Sequence, residues 1–338
     1  MTAGGQSRAL AWRHGVVSVE ALGGMIGPTM FLLDDGRPVS PLHVAPWFDE
    51  PDALAAGGLI AGLRGEWPCV PFGYPMPSAG FPAEWQAVMD DDATPGPVHG
   101  HSSNADWTFT DARADAITLA IDYPQEDAVS RLERVVRPDP QAPALDIELT
   151  VHARRPVREP IALHGCFRLP LEAGAARLAP GRFATGRTHP GRVEPEAPLF
   201  AADRRFSSLA EVPGINGQTV DATALPFDAA VEELLQLDGI DGRFDLVNTA
   251  EGYRMRLSWD ADILPSVLLW YSNRGRSAPP WSSRHLCIGI EPLCSPFGLA
   301  PATARADSPI ARAGTPTAVA LDPDNPLTIG YRIAVDAA

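Results

Sequence analysis

The sequence predicts a mostly β fold, a large antiparallel β-sandwich, from its turn residues, its strand patterns and its scarcity of helical patterns. The 338 residues include 35 prolines and 30 glycines, and these breakers leave few windows for long helices. Several segments alternate apolar and polar residues at the two-residue period of a strand. Many short strands joined by turns are typical of two antiparallel sheets packed face to face.

Five segments carry the strand predictions. Residues 116–122 (AITLAID), 144–152 (ALDIELTVH) and Tyr253–Trp259 (YRMRLSW) alternate in the manner of half-buried strands. Residues 266–271 (SVLLWY) form a continuous apolar run, which suits a strand buried on both faces. Residues 328–335 (TIGYRIAV) are predicted to form a further strand near the end of the sequence.

Two segments have helical patterns, and one has the composition of a loop. Residues 228–237 (DAAVEELLQL) predict a helix of a few turns, and residues 83–89 predict a helical turn. Residues 171–205 are rich in Pro, Gly and Arg and are interpreted as a long loop region. Because no linker and no fixed-period repeat divides the sequence, residues 1–338 are expected to form a single domain.

The charge of the chain excludes several kinds of partner and chemistry. The net charge is −15, so neither nucleic acid nor an anionic membrane surface is an expected partner. All 27 basic residues are arginine. Without lysine, Schiff-base chemistry and a Walker-type phosphate loop are excluded.

The cysteines and apolar runs predict a cytoplasmic protein. The four cysteines are scattered and form neither a C-x-x-C pair nor a zinc pattern, which is typical of a reduced, intracellular chain. The sequence begins without a secretory signal, and its apolar runs are too short to span a bilayer. A monomer or a homodimer is expected.

Two polar segments of the first third of the chain are candidates for ligand binding. In residues 63–74 (LRGEWPCVPFGY), Arg64 lies in a turn rich in proline and aromatic residues, where its planar donor fork suits sugar hydroxyls or a carboxylate. In residues 98–107 (VHGHSSNADW), His99 and His101 could share one face of a strand. Three functions are open to this segment: the histidines could bind a metal, GHSSN could form a hydrolase-like elbow, or the histidines could hydrogen-bond to a neutral ligand with Trp107 as an apolar platform. Core packing is the alternative for each residue.

Two later segments supply candidate acid and base groups. In residues 161–170 (IALHGCFRLP), His164 lies near a strand end, and this pattern is equally compatible with a structural histidine. In residues 286–296 (LCIGIEPLCSP), an apolar strand leads into Glu291. A carboxylate at the end of a buried strand is a candidate for a raised pKa and for work as a base. An exposed glutamate at a strand end is the alternative.

In order and spacing, these segments resemble the motifs of the aldose 1-epimerase family. The resemblance rests on GGMI at residues 23–26, LRGEWPCVPFG, VHGHSSNADW, HGCFRLP and GIEPL, and it extends from about Gly23 to Pro292. It departs from the family pattern beside His164, where Gly and Cys follow the histidine. The resemblance implies a galactose mutarotase-like supersandwich that acts on a monosaccharide or sugar derivative without cofactor or metal.

The same resemblance implies roles for individual residues. It implies that Glu291 takes the proton from the anomeric hydroxyl and that His164 protonates the ring oxygen. His99 and Arg64 match residues that bind the ligand near the ring. An aspartate that holds sugar hydroxyls is also implied, and Asp241, rather than Asp238, is the preferred candidate. Glu291 and His164 are therefore expected to face one cleft, a sugar ring apart.

Three functions fit these observations: an isomerase, a carbohydrate-binding protein on the same fold, and another carbohydrate enzyme such as a lyase or hydrolase. A hydrolase would need a second carboxylate across the bond from Glu291, for which Asp241 or Asp106 would be candidates. Residues 270–276 (WYSNRGR) match no family motif. Arg274, Arg276 and Arg284 would favour an anionic sugar if they met at the site.

Overall fold

The computed structural model describes residues 6–113, 115–194 and 197–338. Its strands run as follows: β1 Ser7–Trp12, β2 Gly15–Glu20, β3 Ile26–Leu32, β4 Pro38–Val39, β5 Glu66–Cys69, β6 Thr108–Ala112, β7 Ile117–Asp122, β8 Val129–Pro138, β9 Ala144–Ala153, β10 Val157–Glu159, β11 Ile161–Arg168, β12 Ala176–Pro180, β13 Thr185–Thr188, β14 Arg205–Phe206, β15 Val212–Pro213, β16 Thr219–Val220, β17 Ala224–Leu225, β18 Val231–Asp238, β19 Arg243–Asn248, β20 Tyr253–Trp259, β21 Ser266–Asn273, β22 Leu286–Cys294, β23 Val319–Leu321 and β24 Leu327–Ala337.

The helices are short: α1 Pro51–Ala56, α2 Gly58–Gly62, α3 Ala83–Gln86, α4 Pro301–Arg305 and α5 Pro309–Arg312, with a 3-10 turn at Leu209–Glu211. Among the described residues, no helix has the length and apolar character needed to cross a membrane.

Two large antiparallel sheets form the sandwich that the sequence predicts. The larger sheet has the order β1-β2-β3-β5-β11-β22-β21-β18-β13-β14, with β4 beside β3. The second has the order β17-β12-β19-β20-β24-β9-β8-β7-β6. Apolar side chains of both sheets, such as Leu163 and Ile290 from the larger sheet and Leu132 and Ile333 from the second, join one continuous core.

The middle of the larger sheet is buried on both faces. In β11, β21 and β22, residues of one parity enter the core between the sheets, while Ala162, Leu268 and Leu293 enter a second apolar cluster on the opposite face. The chain between β4 and β6 and the chain after β22 cover this second face, with Phe72 and Phe297 in the cluster. Two-sided burial explains why these strands are continuous apolar runs.

The strand predictions are confirmed, as is the helical turn near residue 83. The helix predicted at 228–237 is wrong, because these residues form most of β18, between β13 and β21. Alanine, leucine and glutamate favour helix locally, but pairing on both sides and burial on both faces override that preference. The loop predicted at 171–205 is also wrong in part, since it contains β12 and β13.

A buried polar cluster connects the two sheets. Arg134 of β8 donates to Glu66 of β5 and, at 2.8 Å, to the hydroxyl of Tyr331 in β24. That hydroxyl in turn donates to Glu66 at 2.7 Å. All three side chains are almost completely buried, so the ion pair ties β5, the strand that also carries Trp67, to the opposite sheet.

Candidate active site

A cavity of about 430 Å³ opens on the second face of the larger sheet. Its floor is formed by neighbouring residues on the adjacent strands β5, β11, β22 and β21. β11 pairs His164 with Trp67 of β5, and β21 pairs Leu268 with Glu291 of β22. The register between β11 and β22, which pairs Gly165 with Ile290, places His164 directly opposite Glu291. Cross-strand pairs of this kind bring side chains into contact.

His164 and Glu291 are in direct contact at the cavity. His164 Nε2 lies 3.4 Å from Glu291 Oε1, and Glu291 Oε2 has no hydrogen-bond partner in the structure. The His164 ring stacks on Trp67 with ring centroids 4.1 Å apart, and its Nδ1 lies 3.6 Å from Cys166 Sγ. The two groups face one cleft as expected, although they lie closer together than the width of a sugar ring.

Burial dominates the electrostatics of this pair. Glu291 is 1% exposed, and burial raises its pKa well above the usual range for a carboxyl group. Burial, with a smaller contribution from the nearby His99, lowers the pKa of His164 well below its usual range. Both shifts favour the uncharged forms. Burial therefore favours a shared proton on Glu291 rather than on His164.

His99 lines the cavity beside the pair. Its ring stacks on Phe72 with centroids 4.6 Å apart and lies 5.4 Å from the ring of His164. The loop around it is held by its own side chains, since Ser103 donates to the His99 carbonyl and Asn104 donates to the Gly100 carbonyl. Burial and the charge of Arg276 lower the pKa of His99 to about 3. His99 therefore offers a neutral ring to the cavity.

The other predicted ligand residues lie outside the cavity lining. Arg64 pairs with Glu20 at 3.4 Å. Trp107 is a core residue that donates to the Ser102 carbonyl. Asp241 faces Arg182 at 3.7 Å in a separate groove.

Several other residues from the sequence analysis also lie elsewhere. His101 contacts Tyr123 rather than sharing a face with His99. Asp238 is buried in an ion pair with Arg187, and Asp106 lies away from the cavity in a bridge to Leu22.

The structure adds cavity residues that sequence reasoning missed. His189, just after β13, is buried between Phe81 and Phe297, and its Nε2 has no hydrogen-bond partner. Burial lowers its pKa to about 4. A histidine in a segment interpreted as a loop carried no signal beyond its residue type. Trp270 and Trp281 also line the cavity.

Of Arg274, Arg276 and Arg284, Arg276 is the one that lines the cavity among the described residues. Its guanidinium lies 4.7 Å from the Trp281 ring and forms an ion pair with Glu232 at 3.2 Å. Arg284 instead pairs with Glu50, on the surface. The three arginines therefore do not form one anion-binding group.

One histidine–cysteine cluster lies near the cavity. The ligand atoms of His43, His285 and Cys287 lie within 4.8 Å of one another. However, His285 Nδ1 contacts Ser272 Oγ at 2.8 Å, and Cys287 Sγ is 3.8 and 3.9 Å from the two ring nitrogens of His285. One ring nitrogen of His285 is therefore already engaged by Ser272.

Several solved structures that are described as aldose epimerases or mutarotase-like proteins share this fold. A candidate aldose 1-epimerase from Escherichia coli K12 superimposes with a TM-score of 0.64 at 14% identity, covering 98% of this chain and 99% of that one. A galactose mutarotase-like protein from Clostridium acetobutylicum gives 0.62 at 11% identity, with coverage of 98% and 95%. An aldose epimerase homologue from C. elegans gives 0.61 at 11%, with 98% and 100%.

No protein-family model matches the chain, and no curated protein matches it significantly. At these identities the structural likeness shows a shared fold, the galactose mutarotase-like sandwich that the sequence motifs predicted.

Proposed function

We propose that this protein is an aldose 1-epimerase-like isomerase that interconverts the anomers of a monosaccharide. The observation that carries the proposal is the buried contact between His164 Nε2 and Glu291 Oε1 at 3.4 Å in the wall of a cavity. The mutarotase-like fold supports the same reaction class.

The chemistry needs one base and one acid close together. The anomeric oxygen O1 and the ring oxygen O5 are bonded to the same carbon, C1, so the groups that serve them must also be neighbours. Glu291 accepts the proton from the O1 hydroxyl while His164 donates a proton to O5. The C1–O5 bond breaks and leaves an open-chain aldehyde. Rotation about C1–C2 followed by the reverse transfers closes the ring as the other anomer.

This assignment requires the shared proton to lie on His164 when the sugar is bound. In the buried cavity the proton is favoured on Glu291, because burial raises the pKa of Glu291 and lowers that of His164. The unpartnered Glu291 Oε2 offers an acceptor for the O1 hydroxyl, and that hydrogen bond stabilises the carboxylate. The sugar itself would thereby shift the proton to His164.

The test is the anomerisation of freshly dissolved α-D-glucose and α-D-galactose, followed by optical rotation. Wild-type protein should accelerate the approach to equilibrium for a sugar that it accepts. Glu291→Gln and His164→Asn should each lose about 10²–10⁴-fold in rate, the typical contribution of one acid or base. His101→Asn is the matched control, because His101 lies outside the cavity lining.

The alternatives predict different outcomes. A carbohydrate-binding protein would bind sugars in calorimetry equally well as wild type and as Glu291→Gln, with no acceleration by either. A hydrolase would need a second carboxylate in the cavity, and Glu291 is the one carboxylate among the described lining residues. Asp241 and Asp106 lie outside the cavity lining and therefore cannot supply that second carboxylate.

A further inference from the structure

The walls of the candidate cavity are unusually apolar for a site that holds a sugar. Five aromatic side chains line it: Trp67, Phe72, Tyr74, Trp270 and Trp281. Aliphatic side chains, prolines and a methionine fill most of the remaining wall. Among the described lining residues there is no aspartate, asparagine, glutamine, serine or threonine, which are the side chains that ordinarily pair with sugar hydroxyls.

Few polar atoms in the lining are free to receive hydroxyl groups. The polar side chains of the lining are His99, His164, His189, Glu291 and Arg276, with the phenol of Tyr74. Ring opening occupies His164 and Glu291. His99 Nδ1 already accepts from the Gly73 backbone at 3.4 Å, which leaves His99 Nε2, His189 Nε2 and the Tyr74 phenol for the remaining hydroxyls. A fully hydroxylated pyranose would therefore bury several hydroxyls without partners, which is unfavourable for binding.

Arg276 is not available as a receptor for an anionic sugar. Glu232 neutralises its charge at 3.2 Å. Glu232 is itself held by Trp270 Nε1 at 2.5 Å and by Ser272 Oγ at 3.1 Å. Arg276 also lies over the rings of Trp270 and Trp281, at 5.7 and 4.7 Å. The segment 270–276, which matched no family motif, thus supplies Trp270 and the neutralised Arg276, and these two side chains form an aromatic wall together with Trp281.

From these observations we infer that the cavity accepts an aldose carrying an apolar group, a deoxygenated carbon or an O-methyl ether, which packs against the Trp270–Trp281 wall. This inference rests on the proposed function and deepens it by naming the substrate class. Sugars with a hydroxyl on every carbon, and sugar phosphates, are poor substrates because they bury unpaired polar groups or an unpaired charge.

The experiment compares ring-matched sugars. Anomer exchange by NMR and binding by calorimetry are measured for D-glucose, 2-deoxy-, 6-deoxy- and 3-O-methyl-D-glucose, D-glucose 6-phosphate, D-galactose and 6-deoxy-D-galactose. At least one deoxy or methylated sugar should exceed its parent in kcat/KM by roughly tenfold or more, and the phosphate should fall below D-glucose. Trp281→Ala should remove most of this preference, and Trp281→Phe should keep it. Trp12→Ala is the control, since Trp12 packs on Phe31 outside the cavity lining.

The outcomes separate this inference from the proposed function. Acceleration of glucose or galactose with no gain for any deoxy or methylated sugar would overturn the inference and leave the isomerase standing. Binding that ranks a deoxy or methylated sugar above its parent, without turnover of any sugar, would support the substrate class and contradict the isomerase. A preference for the phosphate that Arg276→Gln abolishes, or binding of no sugar at all, would overturn the inference.

Discussion

At the scale of single residues, the proton shared by His164 and Glu291 determines the expected pH dependence. The pair is active when it carries one proton, because that proton can move to His164 when the sugar binds. Burial lowers the pKa of His164 and raises that of Glu291, so the pair keeps one proton over a wider pH range than two exposed groups would.

We therefore expect kcat/KM to stay constant as the pH falls through 6.5, the usual pKa of histidine. Activity falls only at more acidic pH, where a second proton binds, and at alkaline pH, where the pair loses its proton. The measurement is the pH profile of kcat/KM for an accepted sugar. A decline with an apparent pKa near 6.5 would show that His164 titrates as an exposed histidine and would contradict this account.

At the scale of elements, the site depends on glycine in β22. A Cβ built on Gly289 would lie 2.7 Å from Glu291 Oε1 and 2.8 Å from the Cβ of Trp270, so both side chains occupy the space that the glycine leaves. Gly330 in β24 offers a contrast, because a Cβ there meets nothing within 4 Å. Both glycines lie within strands, but only Gly330 has free space around the position of an added Cβ.

Gly289→Ala should lower the free energy of unfolding by about 1–3 kcal/mol, the usual cost of overpacking, and should reduce activity by displacing Glu291. Gly330→Ala should be neutral or stabilising by roughly 0.5–1 kcal/mol. Urea unfolding and the anomerisation rate check both variants. If Gly289→Ala matched the wild type in stability and in rate, β22 would accommodate the extra methyl group at no cost.

The link between the sheets gives a second prediction at this scale. Arg134→Met leaves Glu66 buried without its cation, and we expect a loss of about 3–5 kcal/mol of stability. Arg131→Met, a change at a partly exposed position of the same strand β8, should cost less than about 1 kcal/mol. Replacing Glu66 by Leu in the Arg134→Met background should recover part of the loss. Chemical denaturation measures all three, and similar costs at the two arginines would refute the role of the buried pair.

At the scale of the whole molecule, buried histidines connect folding stability to pH. Burial, with a smaller contribution from Arg168, lowers the pKa of His43 to about 4. The unfolded chain keeps a histidine pKa near 6.5, so between these values the unfolded state binds more protons than the folded state. The stabilising contribution is therefore complete above pH 6.5 and is lost as the pH falls towards 4.

Wild type and His43→Gln should accordingly differ in the pH dependence of unfolding. Between pH 7 and pH 5 the free energy of unfolding of the wild type should fall by on the order of 2 kcal/mol relative to the variant, a value that follows from the size of the pKa shift. Urea unfolding at several pH values measures the difference. A constant difference would show that His43 titrates with the same pKa in the folded and unfolded states. His152→Gln, at a partly exposed position near the end of β9, serves as the control.

By itself the sequence determined the sandwich, because alternation along 144–152 and Tyr253–Trp259 follows from having one face in the core and one outside. It also made Glu291 a candidate, as a carboxylate that follows a buried strand, and it made His164 a candidate through the resemblance of its motifs to the aldose 1-epimerase family. Local patterns could not assign β18, because a segment buried on both faces has no alternation and its residues favour helix.

Only the tertiary structure decided which residues meet at the cavity. The register of β11 against β22 brings His164 and Glu291 together. His189, after β13, and Trp281, after β21, reach the same cavity, while Arg64, Trp107 and Asp241 lie elsewhere. Such contacts join residues far apart in sequence, and no local propensity encodes them. The long-range pairing of strands therefore determines which side chains line the cavity.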